Sequence, residues 1–191
     1  MKVGIGDALL VVDIQYDFLT GGSLAVNDAD RVIPVLNDYI GFFTGKGLPV
    51  MACRDWHPID HCSFRENGGP WPPHCIAGTR GAEFSNLLEL PKDVPLFSKG
   101  TVREKEAYSA FDGTRLDDML KKKGIARLFI GGLTTDYCVL NSVLDAARLG
   151  YRSVVLLDAT KAVNLDPEDG KHALEKMKGA DAAMVTRGQL E

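Results

Sequence analysis

Three observations predict a three-layer α/β/α fold with a parallel sheet. Six short apolar runs recur along the chain. Segments with apolar residues at helical spacing alternate with several of them, the signature of strand–helix–strand units whose helices cover both sheet faces. Asp13, Asp55, Lys99 and Cys138 all fall at or just after predicted strand ends. In such sheets ligands bind beyond the carboxyl ends of the strands, where strand order reverses.

The first strand is Ala8-Leu9-Leu10-Val11-Val12, closing on Asp13. Gly4 and Gly6 precede it, so they cannot be a dinucleotide fingerprint, whose glycines follow the strand. Gln15 to Asn27 reads as loop. Asp30 is the expected cap of a helix reaching about Lys46, with Val32, Ile33, Leu36, Tyr39, Ile40 and Phe43 on its buried face. Pro49 to Cys53 is the second strand. Arg54 to Arg80 is long, aperiodic and rich in Pro, Gly, His and Trp; a loop of that length in a compact domain is usually functional. Val94 to Ser98 is the third strand, and Leu116 to Lys123 a helix with acids early and lysines late. Ala126 to Ile130 is the fourth strand, Arg152 to Leu157 the fifth and Ala182 to Thr186 the sixth. A helix starting at Asp166-Pro167 and ending near Gly179 precedes the sixth. No internal repeat or interdomain linker is visible, so residues 1–191 are expected to form one domain.

The chain has 191 residues, 45% of them hydrophobic and 25% charged, with a formal net charge of -4. That length supports a substantial core, and that balance gives no electrostatic reason for a nucleic-acid partner. No secretory leader or membrane-length apolar run is seen, and four cysteines read as thiols. The expected compartment is the cytoplasm.

Gly131-Gly132-Leu133-Thr134-Thr135-Asp136-Tyr137-Cys138 reads as strand, tight turn, helix, with Thr135 or Asp136 as N-cap. A thiol in the first helical turn feels unpaired N–H groups and the positive dipole end, both favouring thiolate. The alternative is a small Cys filling the turn. A Cys nucleophile needs a base and a cation; Asp13 and Lys99, at other strand ends, can supply them. Asp13 could equally cap its own turn, and Lys99 could be a solvated loop residue.

Three of the four histidines lie in Asp55-Trp56-His57-Pro58-Ile59-Asp60-His61-Cys62 and Trp71-Pro72-Pro73-His74-Cys75. Asp55 and His57, two apart on an extended segment, can face one metal, with His74 as third ligand and His61 as a further ligand or a partner to one. One carboxylate and two imidazoles with open positions suit catalytic Zn, Mn or Fe. A closed structural zinc site using Cys62 and Cys75 is the rival, and it leaves Asp55 without a role. His172 reads as a surface residue.

The chain resembles the nicotinamidase/pyrazinamidase branch of the isochorismatase-like cysteine hydrolases. The resemblance rests on Val11-Val12-Asp13-Ile14-Gln15-Tyr16-Asp17-Phe18, Arg54-Asp55-Trp56-His57-Pro58, Gly69-Pro70-Trp71-Pro72-Pro73-His74-Cys75, Gly81-Ala82-Glu83-Phe84, Ser98-Lys99-Gly100, Ala107-Tyr108-Ser109-Ala110-Phe111 and Gly131 to Val139. It implies a sheet in the order 3-2-1-4-5-6, a triad of Asp13, Lys99 and Cys138, and one divalent metal, zinc first among the candidates, held by Asp55, His57 and His74. It further implies that Phe18 and Trp71 sandwich an aromatic ring, and that a cis peptide before Thr134 aims the N–H groups of Thr134 and Cys138 at the oxyanion. Thr134 stands where alanine is usual and Ala110 where glycine is usual. The implied reaction is hydrolysis of nicotinamide, and by extension pyrazinamide, to the acid and ammonia, in pyridine nucleotide salvage. The implied partner is a small aromatic amide, without nucleic acid or membrane; homo-oligomerisation stays open. Two other readings remain: an amidohydrolase of the same family acting on another small amide or carbamoyl compound, and a non-catalytic zinc-stabilised interaction module.

Overall fold

Strand β1, Asp7–Val12, is buried at every position. In the computed structural model, which describes residues 1–191, it pairs in parallel with β2 (Val50–Asp55) on one side and β4 (Arg127–Leu133) on the other. β3 (Leu96–Lys99), β5 (Arg152–Lys161) and β6 (Ala183–Val185) complete a six-stranded parallel sheet in the order β3-β2-β1-β4-β5-β6. That is the expected order, and the reversal falls between β1 and β4.

Because successive strand side chains point to opposite faces, β1 feeds two separate cores. Leu9 and Val11 pack with α1 (Val32–Gly45), whose buried face is the predicted set of Val32, Ile33, Leu36, Tyr39, Ile40 and Phe43. Ala8, Leu10 and Val12 pack with α2 (Leu116–Lys122), α3 (Leu140–Arg148) and α4 (Asp169–Gly179) through Leu116, Leu120, Val143, Ala173 and Met177. At roughly 1.5–3 kcal/mol per buried large apolar side chain, these two layers hold the sheet rigid under the site. No helix is long and apolar enough to cross a membrane.

β4 runs on to Leu133 and β3 starts at Leu96, and four further differences from the sequence reading trace to a partner that takes the group. β2 runs on to Asp55, since Asp55 lies opposite Lys99 in the ladder and the opposite charges pair. β5 runs on to Lys161, because a register shift between Ile130 and Gly132 lets Gly132 and Leu133 pair with Thr160 and Lys161. Asp30 does not cap α1; its carboxylate accepts hydrogen bonds from the Thr20 N–H and hydroxyl, and a short 3-10 turn, Ala29–Arg31, leads into the helix. α4 starts at Asp169, because the carboxylates of Asp166 and Asp169 tie up the preceding turn by accepting from Glu168 N and Asp166 N.

Candidate active site

β1 ends at Val12, and the next residue, Asp13, adopts φ +50°. This left-handed conformation is uncommon outside glycine but tolerated by Asp. Asp13 lies at the strand-order reversal, fully buried. Lys99 ends β3, also buried, and its Nζ is 2.8 Å from Asp13 Oδ2, 2.5 Å from Asp55 Oδ1 and 3.3 Å from Cys138 Sγ. Three residues from three regions of the sequence therefore converge around one ammonium. Burying charge is costly unless it is paired and hydrogen-bonded; Lys99 meets both conditions.

Burial raises the Asp13 carboxyl to about 6 despite the opposing Lys99 charge. Burial also pushes the Cys138 thiol well above its ordinary value, with Lys99 pulling it down and Asp13 and Asp55 adding to the rise. This corrects the expectation of a resting thiolate. Cys138 lies inside a five-residue π-helical turn, Thr135–Val139, and is buried in a pair of carboxylate fields. Burial and the two carboxylates thus favour the protonated thiol, with the Asp13 carboxyl beside it.

Neither expected cap performs that role. The Thr135 hydroxyl pairs with the Thr160 hydroxyl at 2.8 Å. The Asp136 carboxylate accepts from Val163 N at 3.0 Å and Asn164 N at 2.9 Å, fastening the segment after β5 to the turn that carries Cys138. The Leu133–Thr134 peptide is cis.

The ligand atoms of Asp55, His57 and His74 lie within 4.8 Å of one another, and all three residues are buried. His57 Nδ1 is 3.0 Å from the Gly100 carbonyl oxygen, and His74 Nδ1 is 2.8 Å from that of Pro72. A carbonyl only accepts, so both Nδ1 atoms carry hydrogen, which leaves Nε2 as the nitrogen each ring can offer a metal, the arrangement found around histidine metal ligands. Burial alone would raise the Asp55 carboxyl, but Lys99, His57 and His74 together outweigh it and hold the carboxyl well below the usual carboxylate range. Two carboxylates against one ammonium leave a net negative cluster, which a divalent cation would offset. The donors thus fit a divalent metal with open positions. His61 does not join them: its Nδ1 is 2.7 Å from the Ser63 hydroxyl and its Nε2 3.1 Å from the Lys105 carbonyl, so both nitrogens are taken. It stacks on His57 instead, ring centroids 4.3 Å apart. Cys62 and Cys75 belong to neither donor cluster, and all four cysteines are free thiols.

Both centres open into one pocket. Phe18, Leu24, Trp71, Tyr108, Tyr137 and Val163 make its mainly apolar wall; Asp55, His57, His74, Thr134 and Cys138 reach into it. The lining suits a small aromatic ligand. Trp71 is fixed by Nε1 donating to the Tyr108 hydroxyl at 3.0 Å and by an edge contact with Tyr137, centroids 4.9 Å apart. The two tyrosines were not singled out in the sequence, where they look like ordinary core aromatics. Gln15 was also missed. Its buried amide donates to the carbonyls of Asp55 and Ala82 at 2.7 and 2.9 Å and accepts from Asp55 N at 2.8 Å, holding the carboxylate-bearing strand end. His172 is exposed, as expected.

Residues 7–189 match the isochorismatase domain family. The nicotinamidase of Escherichia coli (strain K12) is 38% identical over 205 residues, covering 96% of each chain. The pyrazinamidase of Pyrococcus horikoshii in complex with zinc superposes with a TM-score of 0.90 at 47% identity, covering 95% of this chain and 99% of that one. PnC1 from L. infantum in complex with nicotinate gives a TM-score of 0.91 at 32% identity, covering 100% and 99%. With this match across nearly its full length, the chain belongs to the isochorismatase family.

Proposed function

We propose that this protein is a metal-dependent cysteine amidohydrolase that converts nicotinamide to nicotinate and ammonia, a single cytoplasmic hydrolase domain over residues 1–191 serving pyridine nucleotide salvage. Hydrolysis of an amide C–N bond is the activity its nicotinamidase relatives carry. The observation that carries the finer reading is the common pocket: Cys138 and the Asp55–His57–His74 donors face one cavity walled by aromatic side chains.

Asp55, His57 and His74 would hold the metal, with zinc supported by the zinc complex of the P. horikoshii relative. Bound there, the ion would supply Lewis acidity and an anchor for a pyridine nitrogen. Phe18 and Trp71 grip the ring, which fixes the carboxamide over Cys138. Asp13 takes the thiol proton, aided by the Lys99 ammonium, which stabilises the thiolate as it forms. The thiolate attacks the carboxamide carbon, and the carbonyl π pair moves onto oxygen, met by the N–H groups of Thr134 and Cys138. Asp13 returns the proton to the departing ammonia. It then draws a proton from the water that opens the thioester, releasing nicotinate and the free thiol.

The test is ammonia release by the zinc-loaded protein from nicotinamide and from an aliphatic amide of similar bulk. Turnover of nicotinamide alone is expected. Preference for the aliphatic amide would move the protein to the rival amidohydrolase reading, and turnover of neither would leave the metal group as a scaffold.

A further inference from the structure

Thr134 is 3% exposed, yet its hydroxyl oxygen has no hydrogen-bond partner in the protein. Its backbone N–H donates to no protein acceptor either, while its carbonyl accepts from Tyr137 N and Val139 N. The neighbouring hydroxyl shows that this is specific to Thr134: Thr135 has found Thr160 at 2.8 Å. Thr134 lines the same pocket as Cys138. A buried hydroxyl and a buried N–H on one residue, both unspent and both at the nucleophile, are a pair of donors awaiting an acceptor, since buried polar groups are otherwise almost always satisfied.

We infer that the Thr134 hydroxyl donates a hydrogen bond to the substrate's carbonyl oxygen as it becomes an oxyanion, alongside the Thr134 N–H. This rests on the amidohydrolase reading above and adds a donor to it. When the Cys138 thiolate bonds to the carboxamide carbon, the π pair localises on oxygen and that atom gains lone-pair capacity. A planar amide oxygen is already served by two N–H donors; the developing alkoxide can accept a third, and charge-assisted hydrogen bonds are the stronger kind. The hydroxyl therefore acts chiefly in the transition state, raising kcat rather than affinity.

The inference is tested on the zinc-loaded protein with three variants. Thr134→Val replaces the hydroxyl with a methyl of the same shape, Thr134→Ser keeps the hydroxyl, and Thr134→Ala removes it together with the γ-methyl as a check against strain from valine. Each is measured for kcat and KM on nicotinamide, for inhibition by nicotinaldehyde, and for binding of nicotinate. The aldehyde adds the Cys138 thiol across its carbonyl and so presents a tetrahedral oxygen; the acid stays planar. Thr134→Val and Thr134→Ala should each lose about a hundredfold in kcat, the lower end of the range for loss of one oxyanion donor. KM and nicotinate binding should be nearly unchanged, and aldehyde inhibition should weaken by a similar factor. Thr134→Ser should retain most of the rate. Wild-type kcat and aldehyde affinity in Thr134→Ala, or equal losses in the serine and valine variants, would overturn the inference. Should the wild-type protein release no ammonia from nicotinamide, the nicotinamide reading fails by itself, and the aldehyde series still decides whether the hydroxyl serves a tetrahedral oxygen on Cys138.

Discussion

Gly100 lies directly beneath His57: its carbonyl accepts from His57 Nδ1 at 3.0 Å, and a Cβ at Gly100 would stand 2.4 Å from the ring's Cε1. Gly100 also has φ +62°, which L side chains rarely adopt. The glycine after Lys99 thus lets one backbone position orient a metal-ligand candidate at close range. Gly100→Ala should displace the His57 ring and weaken zinc binding on the order of ten- to a hundredfold, with far-UV dichroism close to wild type. Zinc titration against a chromophoric chelator reads this directly; unchanged affinity would remove His57 from the ligand set.

The raised Asp13 carboxyl sets the direction of the pH dependence. Asp13 must be ionised to accept the thiol proton, and its value is about 6. Below that pH it is protonated and idle, so kcat/KM should fall as pH drops through about 6 and level off above it. A profile that stays flat from about pH 5 to 7 would take the base role from Asp13.

Asp136 is a structural prediction of a different kind. Its carboxylate satisfies two backbone N–H groups, at Val163 and Asn164, on the far side of β5. Asp136→Ala would strand both, at a cost of about 1–3 kcal/mol in unfolding free energy, and would loosen Val163 in the pocket wall. Urea denaturation checks the first effect and KM the second. A change below about 0.5 kcal/mol would place the residue among ordinary surface positions.

Chelation separates a catalytic metal from a structural one. The two cores are built without any metal ligand among their contacts across the sheet. Metal removal should therefore abolish activity while leaving a cooperative thermal transition, whereas a structural metal's binding energy is folding energy and its loss would unfold the Arg54–Arg80 region.

The strand ends were legible because apolar runs terminate at Asp13, Lys99 and the glycines before Cys138, and a parallel sheet gathers such ends on one edge. The sheet order came with the motifs. What the sequence hid were pairings across long separations. Asp30 and Asp136 carry good capping chemistry, but Thr20 and the Val163–Asn164 backbone compete for them. Asp55 looked like a loop residue because its ladder partner, Lys99, lies 44 positions away. The protonation state of Cys138 depends on burial among Asp13, Asp55 and Lys99, which a local helix-dipole argument cannot weigh. Between the two roles open to His61, ligand or partner to one, the sequence could not choose; both its nitrogens bond Ser63 and Lys105, and its ring stacks on His57.

The central claim is that Cys138 attacks an aromatic amide. Its most direct test is ammonia release from nicotinamide by the zinc-loaded wild type and by Cys138→Ala, matched for zinc content and far-UV dichroism. The wild type should turn over continuously, and the variant should fall by about 10⁴-fold or more, the loss expected when a nucleophile is removed. Residual activity in the variant above about one per cent of wild type would contradict a covalent mechanism on Cys138.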